Sequence, residues 1–161
     1  MGVSTDALLV YGYDLGSLDH AEGWQFREVD EDGEPAMAWY SMPEDAEECD
    51  FIEQAEIRLL VAHGLTASWD HDDYFERKRA AQQRCGVTIE RHCSVSCTMY
   101  LLVAMDWTAH RGYPVKVEPE HLANPELIHH CAANLERALG VLGITPAQEK
   151  PGWILASFWE D

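Results

Sequence analysis

The chain predicts an α+β fold: one domain over residues 1–161, with a largely antiparallel sheet of five to six strands packed against two or three helices. Three observations carry this. The β-prone runs are bunched at the start, middle and end of the chain instead of alternating with helices, which separates α+β from α/β architecture. Helical periodicity is confined to three stretches, each closed by a glycine. No internal repeat or interdomain linker interrupts 161 residues, a length that fits one domain with a real core.

Residues 7–13 (Ala-Leu-Leu-Val-Tyr-Gly-Tyr) form an apolar run closed by Asp14 and Gly16, which predicts a buried strand. Trp24 to Val29 alternates and predicts a second strand, with Met37 to Tyr40 as its partner. Between them Asp30-Glu31-Asp32-Gly33-Glu34-Pro35 is a turn, because its Asp-Gly step and proline break regular structure. A helix opens at Pro43 or Glu44, buries Phe51, Ile52, Ala55, Leu59 and Ala62, and runs to His63 before Gly64. A second, over Asp72 to Arg84, has acids leading and bases trailing with little apolar content, so it is expected at the surface.

From Val87 the period becomes two, predicting a half-exposed strand to His92. The run Thr98 to Trp107 is apolar on both faces, as a central strand must be, and makes a hairpin with it. Arg111-Gly112 marks a turn, after which Tyr113, Val115 and Val117 predict a third meander strand. Asn124 as cap, Pro125 as first helical residue and Glu126 in the first turn announce the last helix. Its stripe of Ile128, Cys131, Ala132, Leu135, Ala138, Leu139 and Leu142 ends at Gly143, and Trp153 to Trp159 supplies a final strand.

A hydrophobic content of 47% and six tryptophans exclude intrinsic disorder. The longest unbroken apolar run, Met99 to Met105, falls far short of the roughly 20 residues of a membrane-spanning helix. The first residues show no basic start followed by an apolar stretch, so no signal peptide is expected, and Asp6 stands where a myristoylation signal wants Ser or Thr. The expected location is cytoplasmic. Five cysteines, an odd number, fit reduced thiols there better than a disulfide framework.

Charge is the most lopsided property. Residues 1–56 hold sixteen carboxylates and a single base, Arg27; the remainder holds thirteen acids against ten bases, and the net charge is -18. Such a field repels nucleic acid and anionic membranes and attracts basic surfaces. Glu44, Glu47, Glu48, Glu53 and Glu56 recur on one helix, where acids three or four positions apart stand roughly 5 to 6 Å from one another. That row suits lysines and arginines on a protein partner, or imitates a line of phosphates. The bland reading is solvated charge. The bases Arg77, Lys78, Arg79 and Arg84 can neutralise this region within one molecule or meet it in a second copy, which makes a homodimer an expectation too.

Two chemistries compete with binding. Asp14, Asp106, His110, Arg111 and Tyr113 lie where apolar strands end, so a carboxylate orienting His110 as general base, with Arg111 holding an anionic substrate, would make a small hydrolase. It predicts Asp106 and His110 within hydrogen-bond reach. Cys85, His92, Cys93 and Cys97 are the nearest approach to a structural zinc site, but they lack the two tight pairs of a zinc module, and buried structural thiols are the simpler reading. Cofactors are expected to be none.

Three phrases, Tyr11-Gly12-Tyr13-Asp14-Leu15-Gly16, Arg111-Gly112-Tyr113-Pro114 and Leu142-Gly143-Ile144-Thr145-Pro146 followed by Trp153 to Trp159, together resemble small uncharacterised proteins encoded by bacteriophages and prophages of actinobacteria. The resemblance spans most of the chain and implies no catalytic residue. It implies context: an accessory product inside an infected bacterium, acting on a host component. With the charge, the expectation is a non-enzymatic protein that binds a basic protein surface, as an inhibitor of a host component or a DNA mimic.

Overall fold

The long first strand organises the molecule. The computed structural model describes residues 4–17, 22–40, 51–66, 70–92 and 98–160. Its order is β1 (Ser4–Gly16), α1 (Phe51–Ala62), α2 (Tyr74–Cys85), β2 (Thr88–His92), β3 (Met99–Ala109), α3 (Pro119–Ala123), α4 (Pro125–Leu142) and β4 (Gly152–Glu160). The four strands form one open antiparallel sheet in the order β2-β3-β1-β4, so β1 pairs with β3 on one side and with β4 on the other. The architecture is α+β. Among the described residues no helix is long and apolar enough to cross a membrane.

Three predicted strands are absent from this sheet, and two of them have the same explanation. Trp24 and Phe26 alternate inward as expected and are buried, but they meet only single bridges, Gly16 with Trp24 and Phe26 with Pro146. Met37 to Tyr40 turns back on itself, the Tyr40 amide donating to the Met37 carbonyl. Both segments are aromatic plugs, buried without joining a ladder; the predicted turn at 30–35 does close, on a single bridge between Val29 and Pro35 with the Ala36 amide on the Glu28 carbonyl. Tyr113 to Val117 fails for another reason. It meets β3 only at the bridge between His110 and Tyr113, although β2 covers no more of that edge than Met99–Val103: Pro114, next in the chain, has no amide to donate to a ladder.

One face of the sheet is covered by helices. Tyr11, Tyr13, Leu15, Tyr100 and Leu102 pack there against Phe51, Ala55 and Leu59 of α1 and Cys131, Leu135, Ala138 and Leu142 of α4. Phe51 is at the centre, in ring contact with Trp24, Phe26, Trp39, Tyr40 and Tyr100. α4 forms as its sequence dictates. Asn124 accepts hydrogen bonds from the amides of Glu126 and Leu127, and Gly143 takes a left-handed turn that sends its amide to the Leu139 carbonyl. Beside this core, Leu60, Leu65 and Ala81 with Tyr74 join α1 to α2, which otherwise lies on the surface as predicted.

Among the described residues no helix packs on the other face, yet Leu8, Val10, Leu101, Val103 and Phe158 are buried on it. The sheet covers itself. His92 ends one edge strand and Phe158 lies on the opposite edge, where a flat sheet would hold them three strand spacings, roughly 14 Å, apart, plus much of the length of β1. Their rings are 4.3 Å apart. Strong coiling brings these diagonal corners together, and the register of β1 against β3 shifts twice, between Tyr11 and Gly12 and between Asp14 and Gly16. At the first shift the backbones are so close that a β-carbon on Gly12 would stand 1.9 Å from the Leu102 carbonyl oxygen.

Candidate functional site

The register that pairs Ala7 with Ala109 sets Asp6 across from His110 at the rim of the coiled face. Asp6 is only 3% exposed, and its Oδ2 is 2.6 Å from Nδ1 of His110, whose side chain is 65% exposed. The Arg111 amide donates to Asp6 Oδ1 at 3.3 Å. The turn is closed by the Tyr113 amide on the His110 carbonyl, with Gly112 at φ 82° where a β-carbon would be strained. A buried carboxylate thus pins a turn and orients an exposed imidazole. Asp6 escaped the sequence reading because its partner is 104 residues away.

The carboxylate expected at His110 was Asp106, and this is corrected: Asp106 is exposed and opposite Val10, four positions back along β3, roughly 13 Å of strand from His110. Asp14 lies near the far end of β1, opposite Leu101, with Oδ1 accepting from the Gly16 amide and its own amide donating to Gln148 Oε1. Arg111 and Tyr113 are exposed on the turn. Of the five residues named for chemistry, the structure gathers His110, Arg111 and Tyr113, by adjacency. Among the described residues no hydroxyl or thiol is bonded to His110 to serve as nucleophile.

The metal candidates are separated by the sheet. Cys85 is buried in the core under the helices, where burial pushes its thiol above the ordinary range, and Cys131 in the same core is raised for the same reason. His92 stacks on Phe158 on the opposite face. Cys85 and His92 therefore cannot share one ion. Cys93 and Cys97 lie outside the described residues. Among the described residues no group of three or more potential ligands surrounds a common point.

The acidic row divides similarly. Glu44, Glu47 and Glu48 lie outside the described residues, and Glu53 is exposed on α1. Glu56 is not free to dock: Lys78 of α2 approaches its Oε1 to 3.2 Å and Gln82 donates to the same oxygen at 3.3 Å. It clasps α1 to α2. For this one carboxylate of the row, a base of α2 supplies the partner within the same molecule.

A feature missed in the sequence lies between α1 and α4. Ile57 and Val61, one turn apart on α1, are 49% and 57% exposed, and with Ala62, Gly140, Val141 and Trp39 they line an open apolar groove of about 660 Å³. One end is fixed. Trp39 donates from Nε1 to the Leu142 carbonyl at 2.5 Å, while Arg58 lays its guanidinium over the Trp39 ring at 5.8 Å and donates from Nε to the Val141 carbonyl at 2.7 Å. Gly140 lies on the groove wall, and a β-carbon there would meet no atom within 4 Å. Glycine inside a helix costs roughly 0.5–1 kcal/mol relative to alanine, and here neither packing nor backbone conformation requires it. The two available signals were a second apolar pair on α1 outside the buried stripe and a glycine inside the best helical pattern of the chain. The chain matches no family model, no curated protein and no solved structure.

Proposed function

We propose that this chain is a non-enzymatic accessory protein that binds a partner protein, and that the partner lays an amphipathic helix with a basic flank into the α1–α4 groove. The observation that carries the reading is the open apolar trough itself, walled by exposed Ile57 and Val61 and by a glycine that neither packing nor backbone conformation requires. Exposed Ile57 and Val61 supply apolar contacts one helical turn apart, the spacing a helical ligand presents. The net charge of -18 selects a basic flank and disfavours nucleic acid or anionic membrane. The phage-type context implied by the resemblance would make that partner a host component of the bacterial cytoplasm.

The test uses two labelled amphipathic helical peptides with identical apolar faces, one lysine-rich and one glutamate-rich on the polar face. The basic peptide binds the wild-type chain, more weakly as salt rises, and the acidic one does not. Gly140→Leu fills the trough, keeps or raises the melting temperature because leucine is the better helix former, and abolishes binding. Undiminished binding to this variant, or equal binding of both peptides, overturns the reading. Replacing Glu44, Glu47 and Glu48 by glutamine isolates the electrostatic part and leaves the Glu56–Lys78 pair in place. The Asp6–His110 pair favours a second reading, general-base hydrolysis, which requires turnover of an activated ester that disappears in His110→Gln.

A further inference from the structure

We infer that two copies of the chain associate through β4, strand against strand in antiparallel register, to make one sheet continuous across both copies. The inference is independent of the α1–α4 groove and rests on a contrast between the two edges of the sheet. An edge strand presents a row of main-chain donors and acceptors, and natural proteins blunt it with shortness, charge, proline or a bulge. β2 obeys this rule: it is five residues long and carries Glu90, Arg91 and His92. β4 does not.

β4 runs nine residues, Gly152–Glu160, and pairs with β1 in unbroken register from Gly12 opposite Gly152 to Ser4 opposite Glu160. From Gly152 to Trp159 it has no charged residue and no proline. Its other side meets no strand among the described residues. Leu155, in the middle, is 76% exposed although it lies in the most apolar strand after β3.

The occupant is set by charge and symmetry. A second copy is equally acidic, so it is repelled wherever carboxylates lie and is tolerated along a stretch that has none. A strand paired with itself about a two-fold axis is self-complementary. With the axis at Leu155, Ile154 faces the second copy's Ala156, Trp153 faces its Ser157, and the two Leu155 side chains stand opposed on one face, each covering the other. The first charges met beyond the uncharged segment are Glu160 of one copy and Lys150 of the other, at register positions opposite each other and of opposite sign.

Sedimentation of the full chain over a range of concentrations, at low and high salt, tests this. The expected result is a monomer–dimer equilibrium that tightens as salt screens the repulsion between acidic copies, the reverse of the salt effect on the groove peptide. Leu155→Lys places two ammonium groups face to face and removes two apolar contacts, weakening association on the order of 100-fold with the far-ultraviolet spectrum unchanged. In the wild type, amide exchange over residues 153–158 should slow as concentration rises, a readout that needs no variant. A monomer up to the solubility limit overturns the inference. So does a dimer that persists in folded Leu155→Lys, or one whose β4 amides exchange at a rate independent of concentration.

Discussion

The two faces of the sheet are buried by different means. On one, α1 and α4 lay a separate layer over Tyr11, Tyr13 and Leu102, and Phe51 sits among five other aromatic rings. On the other, where the described residues supply no helix, a handful of aliphatic residues and Phe158 are buried by the curvature of the sheet, closed at the corner where His92 meets Phe158. The first kind of burial is a property of side chains and survives small adjustments of backbone. The second is a property of backbone shape, and depends on the β1–β3 crossing at Gly12 as much as on any apolar group. The two candidate sites divide along the same line: the groove belongs to the helical layer, whereas the Asp6–His110 turn belongs to the coiled side.

Substitutions at matched sites sharpen this contrast. Phe51→Ala should be the most damaging, about 5 kcal/mol by urea unfolding, because it empties the centre of the aromatic cluster; Phe158→Ala should cost about 3 kcal/mol, since the coiled sheet can relax around the gap. Equal losses would mean that the coiled face is as rigidly packed as the helical one. Gly12→Ala comes next, at about 2–3 kcal/mol. It should act selectively, opening the contact between His92 and Phe158 and speeding amide exchange at Leu8 and Val10 before it disturbs α1 or α4. Uniform exchange across both faces would show that curvature is not held at this point.

The smallest effect is expected at Glu28, which ties the 22–40 segment to the end of the helical layer. Burial pushes its carboxyl upward, but hydrogen bonds from Thr145, including the amide at 2.7 Å from Oε2, together with Arg27, leave it below the ordinary value. A carboxyl depressed on folding contributes stability above its unfolded pKa, and that contribution is lost as pH falls through the folded one. The stability difference between wild type and Glu28→Gln should therefore be constant near neutrality and shrink in acid. A difference that grows in acid would reverse the sign of the shift.

α4 was legible almost to the residue, because its cap, its proline and its closing glycine are neighbours in the chain and each acts within one helical turn. β3 was legible as a central strand for a similar reason, since being apolar on both sides is a property of the strand itself. Period two misled in two ways: at Trp24 to Val29 it records burial without a ladder, and at Tyr113 to Val117 it records neither, since Tyr113 and Val115 are exposed and Pro114 interrupts the donors. The candidate site was the least legible part. Asp6 and His110 meet only through strand register, and Ile57, Val61 and Gly140 define a groove only once α1 and α4 are packed together.

By itself, then, the chain determined its α+β class, both ends of α4, its central strand and its negative field, all of which follow from short-range periodicity, capping chemistry and composition; the expected start of the first helix at Pro43 or Glu44 lies outside the described residues, and the short α3 carried no signal that was read. Tertiary structure alone decided which strands found partners, which carboxylate holds His110, that Cys85 and His92 stand on opposite sides of a sheet, and that Glu56 is bound to Lys78. These outcomes are set by strand register and by how helices pack on the sheet, which bring together or separate residues in ways that leave no mark in a local pattern.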